Sequence, residues 1–246
     1  MGASRLFVAG VHAPGDIVAL ADDDARKLLV VLRRGSGDAL DVIDSSGARY
    51  AATLVVGSGN GASAKLERRL EAPPRAALAI TLAQGIPKGA KMDFVVEKAT
   101  ELGVARIVPF ASRRTVGGDA GRDGKLERWR RLAKSAAAQC GRADVPIVEA
   151  PLAFDALLAR FADFDAVFVP WELADRTPLR ERLPPLVAGV RSVLVAIGPE
   201  GGLAESEAEQ ARTHGAHLLS LGPRIFRTET AALITCTALL YATGDI

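Results

Sequence analysis

From Ala77 to the C-terminus the chain alternates short apolar runs with helix-like runs, and this alternation constrains the fold more than any other feature. ALAITLAQ (residues 77–84) reads as a buried strand, KGAKMDFVVEKATELG as a helix ended by Gly103, VARIVPF as a strand and LERWRRLAKSAAAQCG as a helix ended by Gly141. FDALLARF is a short helix and FDAVFVP a strand; RSVLVAI, AHLLSLG and TAALITCTALLYAT complete the set. Strand, helix, strand repeated in this way predicts an α/β domain built on a parallel or mostly parallel sheet with helices on both faces. In such sheets a ligand site lies beyond the carboxyl ends of the strands.

The first seventy residues have another rhythm. Arg5–Val8 and Ile17–Leu20 are short strand-like pieces, and Asp22, Asp23 and Asp24 precede ARKLLVVLRR, an acidic start on a basic-ended helix as the helix dipole favours. ALDVID, ARYAATLVV and SAKLERRL then alternate apolar and polar residues between SSG and GSGNG turns, which predicts a small barrel-like β domain. EAPPRAA (residues 71–77) is the expected linker, because adjacent prolines neither continue a helix nor pair within a sheet. The expected domains are therefore 1–72 and 73–246, within reach of a 246-residue chain.

Composition excludes several classes. Hydrophobic residues at 49% and charged ones at 24% suit a folded chain rather than a disordered one. The N-terminus lacks the apolar core of a signal peptide, and no run approaches the roughly 18 apolar residues of a membrane span, so a cytoplasmic protein without a membrane partner is expected. Cys140 and Cys236 make neither a disulfide framework nor a zinc site and are expected to be reduced and partly buried. His214 and His217 have no carboxylate or thiol to complete a ligand set, so no metal is expected.

A net charge of +2 means that any nucleic-acid surface must be a local patch. Residues 1–72 carry nine basic against nine acidic side chains, with Arg26, Lys27, Arg33 and Arg34 bracketing the first helix and its exit. Between Ser112 and Lys134 the balance is eight to three: Arg113, Arg114, Arg122, Lys125, Arg128, Arg130, Arg131 and Lys134 against Asp119, Asp123 and Glu127, with Trp129 among them. A solvated helix face would account for the helical part alone. The loop before the helix is also glycine-rich and basic, which points to phosphate contact, with Arg33, Arg34, Arg113, Arg114, Arg128 and Arg131 as the candidate RNA-binding residues.

Two loops follow strand-like runs and open helix-like ones. IGPEGGL (Ile197–Leu203) lets a backbone approach a ligand closely, yet it has neither the G-x-G-x-x-G spacing of a dinucleotide site nor the Gly-Lys-Ser/Thr of a P-loop. LGPRIFRTETAA (Leu221–Ala232) puts Arg227, Thr228, Glu229 and Thr230 on consecutive positions where a helix starts. These side chains could satisfy helix-start donors, or orient a base and relay a proton.

QGIPKGAKMDFVVEKATELGV (Gln84–Val104), QCGR-x-x-VP (Gln139–Pro146), IGPEGGL and LGPRIFRTETAA, in this order, resemble the RsmE family of 16S ribosomal RNA uridine N3 methyltransferases in the SPOUT superfamily. The β-rich N-terminus is more loosely similar to that family's PUA-like β-barrel RNA-binding domain. The resemblance implies S-adenosyl-L-methionine as methyl donor, a homodimer with active sites at the subunit interface, a C-terminal trefoil knot, and 16S rRNA or the small ribosomal subunit as partner. Neither the knot nor the dimer is legible in periodicity, and chain knots are rare.

Carried over, the resemblance implies that the backbone of Ile197, Gly198 and Gly202 and of Ser220, Leu221, Gly222 and Ile225 holds the donor's adenine and ribose, with Pro199 beside them. Pro170, Trp171 and Glu172 would form a third wall, and Arg227 and Thr228 would lie at the methionine end. Arg227, Glu229 and Arg114 are the expected catalytic residues: an arginine stabilises charge developing on the uracil oxygens, and Glu229 orients that arginine or relays the N3 proton. Two departures stand out. LLVVLRR lacks a histidine that relatives often carry before VLR, and Ala204 replaces a frequent Ser or Thr cap, at a cost of about 1 kcal/mol. A ribosome-assembly factor without catalysis would be expected to lose the glycines at 198, 202 or 222, all kept here; a transfer-RNA methyltransferase would share every donor motif.

Overall fold

A computed structural model of the chain describes residues 3–57, 61–71, 76–115 and 124–246. Part of the expected linker, the middle of the GSGNG turn, and Asp119, Arg122 and Asp123 of the basic segment lie outside the described residues. Two compact units are present, Met1–Pro74 with Ala137–Asp144, and Arg75–Ala136 with Val145–Ile246.

In the smaller unit β1 (Ser4–Phe7), β2 (Ile17–Ala19), β3 (Ala39–Ile43), β4 (Arg49–Val56) and β5 (Ala62–Leu70) form one sheet in the order β1-β3-β4-β5-β2. β1 pairs parallel with β3, and the remaining pairs are antiparallel. The alternation along β4 works as expected: Tyr50, Ala52 and Leu54 turn inward to join Leu40, Val42, Ala64 and Leu66 in one core.

The helix before β3 is shorter than the apolar run suggests. α1 (Asp22–Arg26) has its three aspartates in the first turn, but the chain widens into a π-turn over Lys27–Val31, and Arg33 takes a left-handed φ of 52°. The consecutive β-branched Val30 and Val31 are stiff against the preceding turn, and the chain must leave the helix before Gly35, so ARKLLVVLRR is not one uniform helix.

The larger unit contains, in chain order, β6 (Ala79–Gly85), α2 (Lys91–Glu101), β7 (Arg106–Ala111), α3 (Lys125–Cys140, of which the residues from Ala137 on belong to the smaller unit), β8 (Ile147–Val148), β9 (Leu152–Ala153), α4 (Phe154–Leu158), β10 (Ala166–Pro170), α5 (Leu179–Val187), β11 (Ser192–Ile197), α6 (Glu205–Thr213), β12 (His217–Leu219) and α7 (Thr228–Thr243). The sheet order is β12-β10-β11-β6-β7-β8 with β9 also on β7, and every pairing is parallel.

Alternate residues of one strand enter different cores, which is why these strands read as unbroken apolar runs. Leu82, Ile107, Phe168, Val193 and Val195 join side chains of α2, α3, α5 and α7. Ala83, Val108, Val167, Val169 and Leu194 join Phe154, Leu157 and Leu158 of α4 and Ala211 of α6. The sheet is thus covered by helices on both faces, as the alternation predicts.

Two expectations need correction. α5 was not foreseen, because it carries Pro184 and Pro185 inside it. Cys236 is fully buried, and burial pushes its thiol up to about 12, whereas Cys140 is exposed rather than partly buried. Trp129, which lies among the basic residues in the sequence, faces the core from α3. His214 caps the end of α6 and His217 opens β12, the ordinary positions expected of them.

Candidate functional site

Because every strand of the large sheet is parallel, the carboxyl ends of β6, β7, β10, β11 and β12 share one edge. That edge gathers Gln84, the Arg113–Arg114 turn, Pro170–Glu172, the GPEGG loop and Ser220–Gly222.

The GPEGG loop is a tight turn closed by Gly202 N–H donating to the Pro199 carbonyl at 2.8 Å. A Cβ on Gly198 would lie 2.7 Å from the Gly202 carbonyl carbon and 2.8 Å from Leu203 N, so only glycine fits. Gly85, at the end of the neighbouring β6, has the same constraint: its Cβ would sit 2.6 Å from Pro199 N. Glu200 accepts from Lys88 N–H at 3.0 Å and from Lys91 Nζ at 2.7 Å. Burial pushes its carboxyl up, but the Lys91 ammonium and the main-chain donors outweigh this and hold it below the usual range.

The third wall is tied to the other two. Trp171 N–H donates to Leu219 O at 2.9 Å, and the Glu172 carboxylate lies 3.5 Å from where a Gly202 Cβ would be. Gly222 has φ +103° and open space around it, with its N–H on Ser220 Oγ at 3.2 Å. Among the described residues, the main-chain N–H groups of Leu221 and Ile225 donate to nothing in the chain, and the Ile225 side chain is 89% exposed. The loops therefore offer main-chain donors on an open surface. A cavity of about 400 Å³ lies instead on the small sheet beside Asp41 and Arg49, where Arg5 and Arg49 already saturate the carboxylate.

Arg227 is the N-cap of α7, Thr228 and Glu229 its first turn. Thr228 Oγ1 donates to the Gly198 carbonyl at 2.6 Å and accepts from Gln84 Nε2 at 2.8 Å. Among the described residues Glu229 Oε2 is buried without a hydrogen-bond partner, and Glu229 forms an ion pair with neither Arg227 nor Arg114. Arg114 reaches the first loop from β7: its Nη1 donates to Gly201 O at 2.7 Å. The buried Glu207 sets this turn, accepting Arg113 N–H on Oε1 and Ala204 N–H on Oε2, each at 2.8 Å.

The RNA-binding candidates divide between the units. Arg33 and Arg34 lie in the smaller unit and Arg113, Arg114, Arg128 and Arg131 in the larger. Arg128 is held by Asp93, with Nε at 2.9 Å from Oδ2, whereas Arg131 is exposed and makes no ion pair among the described residues.

An RNA methyltransferase domain matches residues 74–240, which takes in the whole edge just described. The chain belongs to this RNA methyltransferase family. The ribosomal RNA small subunit methyltransferase E of Mycobacterium tuberculosis (strain CDC 1551 / Oshkosh) is 32% identical over 97% of this chain and 92% of that protein. The crystal structure of a ribosomal RNA small subunit methyltransferase E from Neisseria gonorrhoeae bound to S-adenosyl methionine is similar with a TM-score of 0.86 at 30% identity, covering 98% of each chain. A methyltransferase from Legionella pneumophila, solved with the bound cofactor SAM, is similar at a TM-score of 0.88 and 30% identity, again over 98% of each chain.

The methyltransferase reading leaves two residues that sequence alone did not single out. Gln84 lies inside a quoted motif, but nothing in its spacing distinguishes a buried amide from a strand-end polar residue. Glu207 reads as one carboxylate among several on an acidic helix until its burial is seen.

Proposed function

We propose that this chain transfers the methyl group of S-adenosyl-L-methionine to N3 of a uridine in 16S ribosomal RNA. The edge fits such a donor: Gly198, Gly202 and Gly222 leave room for close approach, and Leu221 and Ile225 have main-chain N–H groups free for an adenine and ribose. Ile197, Pro199 and Ser220 would line the same cradle, with Pro170, Trp171 and Glu172 as its third wall and Arg227 and Thr228 toward the methionine end. When bound, the donor supplies an electrophilic methyl on a sulfonium, and no metal is needed.

The remaining task is positioning and proton removal. Uridine N3 carries a proton that must leave as the N3–methyl bond forms. The buried, unpartnered Glu229 Oε2 is the observation that carries the assignment, since an acceptor without a donor beside Arg227 is suited to take the N3 proton. Of the two roles expected for Glu229, its lack of an arginine partner favours proton acceptance over orienting an arginine. Arg227, exposed at the helix start, or Arg114, anchored on Gly201, would stabilise charge on the uracil oxygens. Arg33, Arg34, Arg113, Arg128 and Arg131 serve as phosphate contacts.

The finer architecture follows the same reading. The smaller unit is a PUA-like barrel that positions RNA. β12 lies outside β10 while α7 returns to β11 and β6, the arrangement a trefoil crossing of the chain end would produce. A homodimer would cover the exposed Ile225, Leu173 and Tyr241 and complete the open donor edge. No helix among the described residues is long and apolar enough to cross a membrane, in keeping with action on ribosomes in the cytoplasm.

Mass spectrometry of ribosomal RNA from a deletion strain, with and without the gene restored, tests the function. Loss of one N3-methyluridine of 16S rRNA that the gene restores is expected. An unchanged 16S profile, or a change confined to transfer RNA, would overturn it.

A further inference from the structure

Gln84 ends the run of buried side chains on β6 with no exposed surface, and its amide nitrogen is the start of a directed chain. Nε2 donates to the Gly85 carbonyl at 2.9 Å and to Thr228 Oγ1 at 2.8 Å, and Thr228 Oγ1 donates in turn to the Gly198 carbonyl at 2.6 Å. The direction of the amide is fixed by chemistry. Gly85 O has no proton to give, and the single proton of Thr228 is committed to Gly198, so both sites facing Gln84 are acceptors and only the NH2 group suits them. Gln84 Oε1 is left buried with no partner among the described residues. An apolar side chain would avoid that orphan, so folding alone gives little reason for an amide here.

Close packing of three backbone segments meets at the same point. Beside Gln84, a Cβ on Gly85 would fall 2.6 Å from Pro199 N and 2.8 Å from the Gly198 carbonyl carbon, and a Cβ on Gly198 would clash with Gly202. The end of β6, the GPEGG loop and the start of α7 are thus locked together at Gly198.

We propose that Gln84 is a positioning residue for methyl transfer: acting through Thr228, it fixes the Gly198 carbonyl and with it the spacing between the GPEGG loop and the Arg227–Glu229 helix start. This rests on the proposed function, in which the first loop holds the methyl donor and the helix start faces the acceptor base. A small change in that spacing moves the reacting atoms out of line without removing any group that contacts them.

The test uses the full-length chain as wild type, Gln84→Leu, Gln84→Glu, Thr228→Val and the Gln84→Leu/Thr228→Val double variant. It combines methylation of small ribosomal subunits, S-adenosylmethionine titration calorimetry, and amide hydrogen exchange of the ligand-free protein. Gln84→Leu is expected to lower kcat roughly tenfold to a hundredfold with the KM for subunits unchanged. It should also speed exchange at residues 198–203 and 228–232 before any ligand is added. The double variant should be no slower than either single one, because both cut one chain. In Gln84→Glu the carboxylate cannot donate, whereas the protonated acid can, so its kcat relative to wild type should climb as pH is lowered.

Wild-type kcat and exchange in Gln84→Leu would overturn the proposal, as would additive losses in the double variant. A Gln84→Glu deficit that does not shrink toward acid pH would mark a role in folding only and would also overturn it. Failure of the wild type itself to methylate subunits would sink the proposed function instead, and hydrogen exchange and donor titration would still report on Gln84.

Discussion

The Glu207 carboxylate is buried between two main-chain donors: Arg113 N–H reaches Oε1 and Ala204 N–H reaches Oε2, both at 2.8 Å. One side chain on α6 thereby fixes the arginine turn after β7 and the exit of the GPEGG loop. Glu207→Ala strands both donors, at about 1–3 kcal/mol for each buried group left unsatisfied. Glu207→Gln, which keeps one acceptor, should lose about half as much. Urea denaturation of the two variants checks the order, and equal stability of both with wild type would contradict it.

Ala204 has the extended N-cap geometry, φ −66° and ψ 151°, but no side-chain acceptor, so only the Glu207 half of a capping box is made. Ala204→Ser should add the missing bond and about 0.5–1 kcal/mol. A rise of about 1–4 °C in the melting temperature of the larger unit is expected by calorimetry. No rise would mean that α6 already satisfies its first turn by other means.

The two loop glycines should fail in different ways. Gly198→Ala places a Cβ 2.7 Å from backbone that cannot move aside, so donor affinity measured by titration calorimetry should fall more than tenfold. Gly222→Ala meets no atom within 4 Å and carries only the strain of φ +103°, roughly 1–2 kcal/mol. Equal losses of affinity in the two variants would show that steric fit at Gly198 is not what the loop needs.

Arg128 and Arg131 share α3 but differ in their neighbours. Arg128 is already neutralised by Asp93, while Arg131 has no ion pair among the described residues. Arg131→Ala should reduce the slope of log affinity against log salt for RNA by about 1, and Arg128→Ala by less. Filter binding across a salt series separates them; a larger loss at Arg128 would reverse the assignment.

Acid stability should depend on Glu149. Burial pushes its carboxyl up, but the guanidiniums of Arg160, 2.7 Å from Oε2, and of Arg106 outweigh it, and the net shift is below the ordinary 4.5. A carboxylate depressed in the folded state adds stability that is present above its unfolded value near 4.5 and is lost as pH falls through the lower folded value. Urea midpoints measured downward from neutral pH should drop steeply below about 4.5 in wild type and less steeply in Glu149→Gln. Parallel curves would assign the acid limb to other groups.

Much of this was legible in the chain itself. Strand centres such as IVPF (Ile107–Phe110) and VLVAI (Val193–Ile197) are apolar at every position because both their faces are covered, and that pattern predicts the parallel sheet and its helices directly. Gly103 and Gly141 announced the ends of α2 and α3 through their positive φ, at 89° each. α5 escaped because its two internal prolines argue against a helix that tertiary packing of Leu183 and Val187 nevertheless stabilises. ARKLLVVLRR misled because periodicity does not register a π-turn.

By itself the sequence singled out the two loops that stand at the carboxyl ends of the parallel strands and form the candidate site, since glycine, proline and charge crowded after a buried strand have few structural uses. Only the tertiary structure decided how those loops are joined. Gln84, Thr228 and Gly198 lie 144 and 30 positions apart along two legs of one hydrogen-bond chain, and Glu207 reaches Arg113 across 94 positions. A parallel sheet brings strand ends from distant segments to one edge, and local patterns carry no record of which ends become neighbours. Burial then decides the rest: an amide or carboxylate that water would satisfy on a surface becomes, between two strands, a fixed and directional link.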